Sequence, residues 1–356
     1  MKKALIAMSG GVDSSLAAKL MVDNGFECIG CTMKLYHNED VGLERSRTCC
    51  SLDYEEDARS VAYKLGMPFY VFNFTVAFRN TVIRKFIESY EKGITPNPCI
   101  DCNRYMKFDK LFERAKILGC DYIVTGHYAK IEEKDGKFVL KKAVDETKDQ
   151  SYVLYSMTQE QLTHTMFPLG NMRKAEVREI AEQNGFINAN KPDSQDICFV
   201  PNGDYASIIE MHTGKRSLEG NLVDKQGKVI GRHKGVIHYT VGQRKGLGIS
   251  STEPLYVCNI CPKDGNVILG SNDDLFSRET DVSDFNWISG EVPKSKFRCK
   301  AKIRYRQSEQ WATVIPTGAD TVHIVFDEPQ RAITPGQAAV LYDGDTVLGG
   351  GTIQNF

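Results

Sequence analysis

The 356-residue chain has no apolar run approaching the roughly 20 residues that a bilayer-spanning helix requires. It is therefore read as a globular protein outside the membrane. Its start, "MKKALIAMSGG", meets glycine after a few apolar residues. That is too short for a secretion signal and lacks a cleavage site, so it reads as a first strand. Internal repeats and low-complexity tracts are also missing. Charge excess is missing too: 45 Lys and Arg face 46 Asp and Glu, for a net charge of −1. Total charge therefore says nothing for a nucleic-acid partner. The first glycine-rich loop lacks the lysine of G-x-x-x-x-G-K-[ST] and the spacing of G-x-G-x-x-G.

Cysteine, by contrast, is plentiful. Eleven, an odd number, in a large chain without a secretion signal argue for a reducing cytoplasm and thiol chemistry rather than a disulfide framework. The length predicts two or three domains, and 41% hydrophobic with 26% charged residues fits globular folding.

The first part alternates strand and helix, the pattern of a parallel sheet with helical crossovers. "KALIAM", "FECIGCTMKLY", "PFYVFNF" and "DYIVTGHYAKI" read as strands. "SLAAKLMVDNG", "LDYEEDARSVAYKLG", "VAFRNTVIRKFIESYEKG", "RYMKFDKLFERAKILG" and "RKAEVREIAEQNG" read as helices, the last of them closing this part. "EEKDGKF" carries the Asp-Gly signal of a hairpin. From about residue 217, short alternating runs punctuated by Gly, Asp and Asn predict antiparallel β structure, a small linker domain and then a barrel.

Two basic stretches stand out. Lys225, Lys228, Arg232, Lys234, Arg244 and Lys245 occur with no acid among them. In "KSKFRCKAKIRYR", Lys294, Lys296, Arg298, Lys300, Lys302, Arg304 and Arg306 fall on alternate positions. On one strand they would share a face, with Phe297, Cys299, Ala301, Ile303 and Tyr305 toward a core. Such a rail, roughly 40 Å long at about 3.3 Å per residue, suits a phosphate backbone. It equally suits a solvated strand whose lysines block edge pairing.

"ALIAMSGGVDSSLAAKL" is strand, glycine-rich loop, helix, a ready anion site. The unit S-G-G-x-D-S directly after a first strand resembles the PP-loop of ATP pyrophosphatases, which cleave ATP between its α- and β-phosphates. Asp13 is an acid among expected phosphate-binding atoms, and a bound Mg²⁺ would reconcile the charges.

Three C-x-x-C pairs occur: Cys28/Cys31, Cys99/Cys102 and Cys258/Cys261. The first and third lie in predicted strands, where residues three apart face opposite ways, so they read as core thiols rather than zinc ligands. Cys49 and Cys50 are adjacent and have no matching pair nearby. Cys120 and Cys299 read as strand packing. Cys99 and Cys102 instead sit in a turn fixed by Pro96 and Pro98, with Asn103 as a candidate cap. The following helix dipole is expected to lower a nearby thiol pKa. Cys198 lies in the loop-like, polar "KPDSQDICFVP".

From end to end the chain carries "SGGVDSS", "TPNPxxxCNRYMKF", "TGHYA", "DQSYVLY", "DSQDICFV", "HYTVGQRKGLGI", "RYRQ" and "TPGQAAVLYDGDTVLGGG". This ordered set resembles the tRNA-specific 2-thiouridylase family, also called the TrmU family, within the PP-loop ATP pyrophosphatase superfamily. The resemblance implies an N-terminal PP-loop (adenine nucleotide alpha hydrolase-like) α/β domain with helices on both faces of a parallel sheet, over 1–205. A β-rich central domain over 206–278 and a tRNA-contacting C-terminal β-barrel over 279–356 would follow. It implies a cytoplasmic enzyme that adenylates O2 of the tRNA wobble uridine with ATP and Mg²⁺ and replaces it with sulfur.

By the same resemblance Cys198 carries the persulfide and Cys102 is the nucleophile that resolves it as a Cys102–Cys198 disulfide. Ala7, Met8, Ser9, Gly10, Gly11, Val12, Asp13, Ser14, Met33 and Gly126 would hold ATP. Asn97, Pro98 and Cys99 would touch the target base. His127, Lys148, Asp149, Gln150, Arg304, Tyr305 and Gln337 would contact tRNA. The sulfur would come from an upstream persulfide donor such as a cysteine desulfurase or relay protein.

Many family members have an acid at position 99. Cys99, Cys102 and Cys198 would alternatively offer three ligands to an iron–sulfur cluster, as in some other tRNA thiolases. A PP-loop ligase or amidotransferase acting on a small molecule is the rival enzyme class. A non-enzymatic RNA-binding or sulfur-carrier protein is the rival outside catalysis.

Overall fold

The computed structural model describes residues 1–42, 49–192, 197–200 and 203–354, apart from the side chains of residues 49–52. The side chains of the Cys49/Cys50 pair and the first four residues of the "DSQDICFV" segment therefore lie outside the described part.

The first seven strands are β1 (Lys3–Ala7), β2 (Glu27–Lys34), β3 (Phe69–Asn73), β4 (Tyr122–Val124), β5 (Ala129–Lys134), β6 (Lys137–Lys142) and β7 (Thr165–Met166). Five of them form a parallel sheet in the order β3-β2-β1-β4-β7. After Lys3, β1 is apolar because both its faces are covered: Ala4 and Ile6 join one buried cluster, Leu5 the other. The same rule separates the first C-x-x-C pair, with Cys28 in one cluster and Cys31 in the opposite one. The chain leaves β1 toward β2 on one side and later returns to β4 on the other. The gap between β1 and β4 is thus the switch point, where open α/β sheets bind ligands.

Several elements differ from the sequence expectation. The first helix spans Val12–Asp23 rather than starting at Ser15, because the Ser14 and Ser15 hydroxyls fold back onto the Gly11 carbonyl (3.0 and 3.1 Å) and Val12 is buried. "DYIVTGHYAKI" is two strands, not one. β4 stays in the parallel sheet, while β5 pairs with β6 across the Asp135-Gly136 turn, both of whose residues are left-handed. A helix at Tyr205–Thr213, which the alternation pattern missed, is capped by the Asp204 side chain accepting from Ser207 N and ended by Gly214. Cys120 lies in the turn before β4, with its amide bonded to Ala115 O, and not in a strand.

The central sheet has the order β10-β11-β8-β9, from β8 (Gly220–Val223), β9 (Val229–His233), β10 (Tyr256–Cys261) and β11 (Asn266–Gly270). Its basic run is partly paired, with Lys225 on Asp274 and Arg232 on Glu219. The last six strands are β12 (Phe276–Trp287), β13 (Phe297–Lys302), β14 (Gln310–Pro316), β15 (Val322–Arg331), β16 (Ala338–Asp343) and β17 (Thr346–Ile353). They run β12-β15-β14-β13-β16-β17 and close by a β12–β17 pairing. The β5–β6 hairpin, though it follows the parallel sheet in sequence, joins β17 through the Lys141↔Thr346 and Leu140↔Val347 pairs.

The cationic rail is shorter than its sequence pattern. Only Phe297–Lys302 is extended, and the chain bends through residues 303–307. Arg298, Lys300 and Lys302 keep the outer face, but Arg298 is paired with Asp327. Beyond the bend the alternation breaks, so Arg304 turns inward and Tyr305 is exposed. No helix among the described residues is long and apolar enough to cross a membrane.

Candidate active site

The loop after β1 is shaped by Gly10, whose φ of +77° is left-handed and whose missing Cβ would lie 2.1 Å from the Tyr54 carbonyl oxygen. Fully buried Asn188 donates from Nδ2 to Gly10 O (2.8 Å) and Ser15 Oγ (2.9 Å), fixing the loop from behind. Gly126, just past β4, approaches so closely that a Cβ there would meet Ser14 N at 2.7 Å. Met33 lies one residue before the end of β2, next to Thr32, whose Oγ1 donates to Met8 O (2.6 Å). Ala7 to Ser14, Met33 and Gly126 thus gather at the carboxyl edge of the sheet. The N-terminus of the helix Val12–Asp23 opens there with its free N–H groups.

Asp13 has a partner that the sequence reading did not supply. Its oxygens accept from Lys174 Nζ at 2.7 and 2.8 Å and from the Tyr128 hydroxyl at 2.7 Å. Lys174 balances this carboxylate. Among the described residues no three His, Cys, Asp or Glu side chains converge to hold a metal ion.

The thiols sit on a neighbouring helix, 98–117. Its cap is Asn97, whose side chain accepts from Cys99 N (3.2 Å), with Pro98 in the first turn. Asn103, the expected cap, is buried inside the helix and donates to Val153 O (3.0 Å). Over Cys102–Lys110 the helix widens to π geometry before resuming at Leu111. Cys102 packs against the buried cluster that also holds Ile197 and Phe199, which flank Cys198. The Tyr36 hydroxyl donates to Cys198 O (2.7 Å). The two cysteines, distant in sequence, therefore border one buried cluster, and Cys102 and Cys99 are near enough to act electrostatically on Cys198.

Burial works against ionisation of both thiols. Burial pushes the Cys102 thiol up to about 11, opposed by Lys107 and reinforced by Cys99 and Asp101. The protein packed around Cys198 raises its thiol too, with Cys102 and Cys99 adding and Lys107 opposing, although solvent still reaches the residue. The expected lowering by the helix dipole fails because the helix starts at Pro98. Cys102 lies a full turn inside, beyond the N–H groups that carry the dipole's effect. All the described cysteines are free thiols.

Sequence comparison decides the family. The profile described as "tRNA methyl transferase HUP domain" matches residues 2–202. "tRNA methyl transferase PRC-barrel domain" matches 207–271, and "Aminomethyltransferase beta-barrel domain" matches 277–353. The tRNA-specific 2-thiouridylase MnmA of Clostridioides difficile is 52% identical over 99% of this chain and 98% of its own length. That of Symbiobacterium thermophilum is 50% identical over 99% and 92%. The chain belongs to the tRNA-specific 2-thiouridylase family, MnmA. Like other MnmA-family proteins it is an enzyme of the sulfurtransferase class. A solved 4-thiouridine synthetase–RNA complex with bound ATP aligns at a TM-score of 0.36 and 18% identity, over 60% of this chain and 52% of that one. That likeness is too distant to bear on the site.

The remaining residues that the MnmA resemblance marks divide into two groups. Gln337 Nε2 donates to Thr95 O (2.8 Å), tying the barrel to the Pro-rich turn, and Gly336 closes on Ile94 and Thr95 where a Cβ would clash. Exposed Tyr305 donates to Asp149 O (3.1 Å), while the Asp149 carboxylate caps Ala143 N and Ser151. Gln150 and Tyr128 are joined through backbone and side chain. Burial, then Asp149 and then the Cys99 thiol raise the Tyr305 pKa, so Tyr305 lies near Cys99.

Arg304 and His127 instead point inward. Arg304 Nη2 donates to Val241 O, Ala332 O and Thr334 Oγ1. His127 is buried, with Nδ1 against Thr125 Oγ1 (2.6 Å) and Nε2 against Lys107 Nζ (3.3 Å). Burial first, and Lys107 second, hold its pKa well below the ordinary range, so the ring is neutral. Sequence reasoning passed over Lys107, Lys174, Asn188 and Tyr36. Lys107 lies inside the "CNRYMKF" motif, so the signal was present there; for Lys174 and Asn188 only the fold brings them to the loop.

Proposed function

We propose that this enzyme converts the wobble uridine of tRNA to 2-thiouridine, using ATP and a protein persulfide. The uracil O2 is a poor leaving group, so its attack on the α-phosphorus of ATP, releasing pyrophosphate, turns it into an AMP leaving group. Ala7 to Ser14, Met33 and Gly126 hold the nucleotide, and Mg²⁺ arrives with its phosphates as part of the substrate. An upstream cysteine desulfurase or relay protein loads Cys198 as a persulfide. The outer sulfur forms a bond to C2 as the C2–O bond to AMP breaks. Cys102 thiolate attacks Cys198 Sγ, the S–S bond electrons pass to the transferred sulfur, and a Cys102–Cys198 disulfide remains for an external thiol to reduce.

In this reading Asn97, Pro98 and Cys99 seat the base on a rigid turn. Lys148, Asp149, Gln150, Tyr305 and Gln337 border the tRNA, while His127 and Arg304 act from beneath them. The domains are assigned as catalytic over 1–205, linking over 206–278 and tRNA-contacting over 279–356. The placement of Cys102 and Cys198 at one buried cluster, although 96 positions apart in sequence, supports this reading more than any other single observation. A small-molecule ligase has no use for two such neighbouring thiols.

The test is mass spectrometry of tRNA nucleosides after incubation with purified protein, ATP, Mg²⁺ and a persulfide source. C102S and C198S should each abolish 2-thiouridine while ATP affinity stays within about twofold of the parent. Thiolation by either variant at the parent rate would remove the mechanism.

A further inference from the structure

Beyond the two thiols, we infer that Lys107 is a positioning residue that stabilises negative sulfur on Cys102 and Cys198 from the nucleotide side of the site. The inference rests on the thiol chemistry proposed above. The first ground is the helix itself. In an α-helix residues five apart lie about 140° from each other, so Lys107 would point away from Cys102. Over Cys102–Lys110 the helix is π, in which residue i+5 hydrogen-bonds back to residue i and lies above it. The widened turn begins at Cys102 and aligns Lys107 with it.

The second ground is how Lys107 is held. Its Nζ lies 3.3 Å from Nε2 of His127. That ring is clamped between Phe108 and Phe167 (centroids 6.1 and 5.7 Å away), and its Nδ1 lies 2.6 Å from Thr125 Oγ1. With the proton assigned to Nδ1, Nε2 accepts from the ammonium. A neutral ring steers the lysine without cancelling its charge. Among the described residues Lys107 forms no ion pair with a carboxylate. Its ammonium is left to act on the sulfurs.

The charged and titratable groups around Cys102 are Lys107, Cys99, Asp101 and, across the site, Cys198. Of these only Lys107 favours a thiolate. Asp101 is already engaged by Lys85 at 2.6 Å. Gly126, beside His127, touches the phosphate loop, so one short connection joins the nucleotide site to the thiols.

The test is alkylation by iodoacetamide of the full-length protein without tRNA, with rates at Cys102 and Cys198 read by peptide mass spectrometry from pH 6 to 10. K107M should slow both cysteines about tenfold across this range, in which the rate follows the small thiolate fraction. K107R should restore most of the rate. K107Q serves in the same way should K107M not fold, with folding checked by ATP affinity and melting temperature. Unchanged rates in a folded neutral variant would overturn the inference. So would a slowing that K107R fails to rescue. Because the readout needs no tRNA, a parent protein that thiolates nothing would remove the proposed function and leave this test standing.

Discussion

Replacing Lys174 with methionine isolates what the lysine does for the phosphate loop. The pair with Asp13 is short and two-pronged, and its side chains keep 11% and 32% of their exposure. Removing one partner from a fully buried pair costs about 3–5 kcal/mol. Because Asp13 is about one-third exposed, solvent screening reduces the stability loss to about 1–3 kcal/mol. The effect on ATP should be larger in proportion. A bare carboxylate about 6 Å from a phosphate charge, at an effective dielectric of about 20, repels it by about 3 kcal/mol. That is roughly a hundredfold in Kd. Calorimetric titration with Mg·ATP measures it. D13N/K174M removes both charges and should recover affinity to within about tenfold of the parent. If K174M binds ATP like the parent, or the double variant binds no better than K174M, the account of Lys174 as a counter-ion is refuted.

Two further outcomes follow from the inward-facing pair. R304A should lower the melting temperature, by calorimetry, by the equivalent of about 1–3 kcal/mol, since three acceptors lose their donor; the salt slope of tRNA binding should not change. A parent-like melting temperature with a slope reduced by about one would place Arg304 against RNA instead. His127, neutral through burial, should show no proton titration by NMR between about pH 5.5 and 8. Because its folded pKa lies below the unfolded value, its contribution to stability is present above about 6.5 and is lost as pH falls toward the folded pKa. A midpoint near 6.5 would show the ring to be solvated.

Much of the architecture was legible because burial on both faces of β1 and β2, and alternation in the barrel strands, leave direct traces in the residue order. The glycine-rich loop was legible because close backbone approach requires Gly10, whereas Gly126 came only with the family resemblance. The failures share a cause. Seven alternate cations imply one long strand only if the strand continues, and nothing in "IRYRQ" announces the bend that turns Arg304 inward. The thiol pKa was misjudged first because burial of Cys102 comes from tertiary packing, and second because Asn97 rather than Asn103 starts the helix. Lys174 was invisible as a partner of Asp13 because the two are brought together by helix packing and not by any local pattern. The helix Tyr205–Thr213 was avoidable as a miss, since Asp204 and Gly214 are ordinary start and stop signals.

The β5–β6 hairpin bears on how the protein is made. Lys141 pairs with Thr346, so this hairpin emerges from the ribosome about 200 residues before the strand that completes it. At roughly 5–20 residues per second, β6 waits about 10–40 s with an open hydrogen-bonding edge. The nascent catalytic layer is therefore exposed to edge-to-edge association until the last strand arrives. A chain stopped before the barrel would keep that edge open permanently. Misassembly, rather than loss of a residue from the site, is then the expected failure of a truncated enzyme.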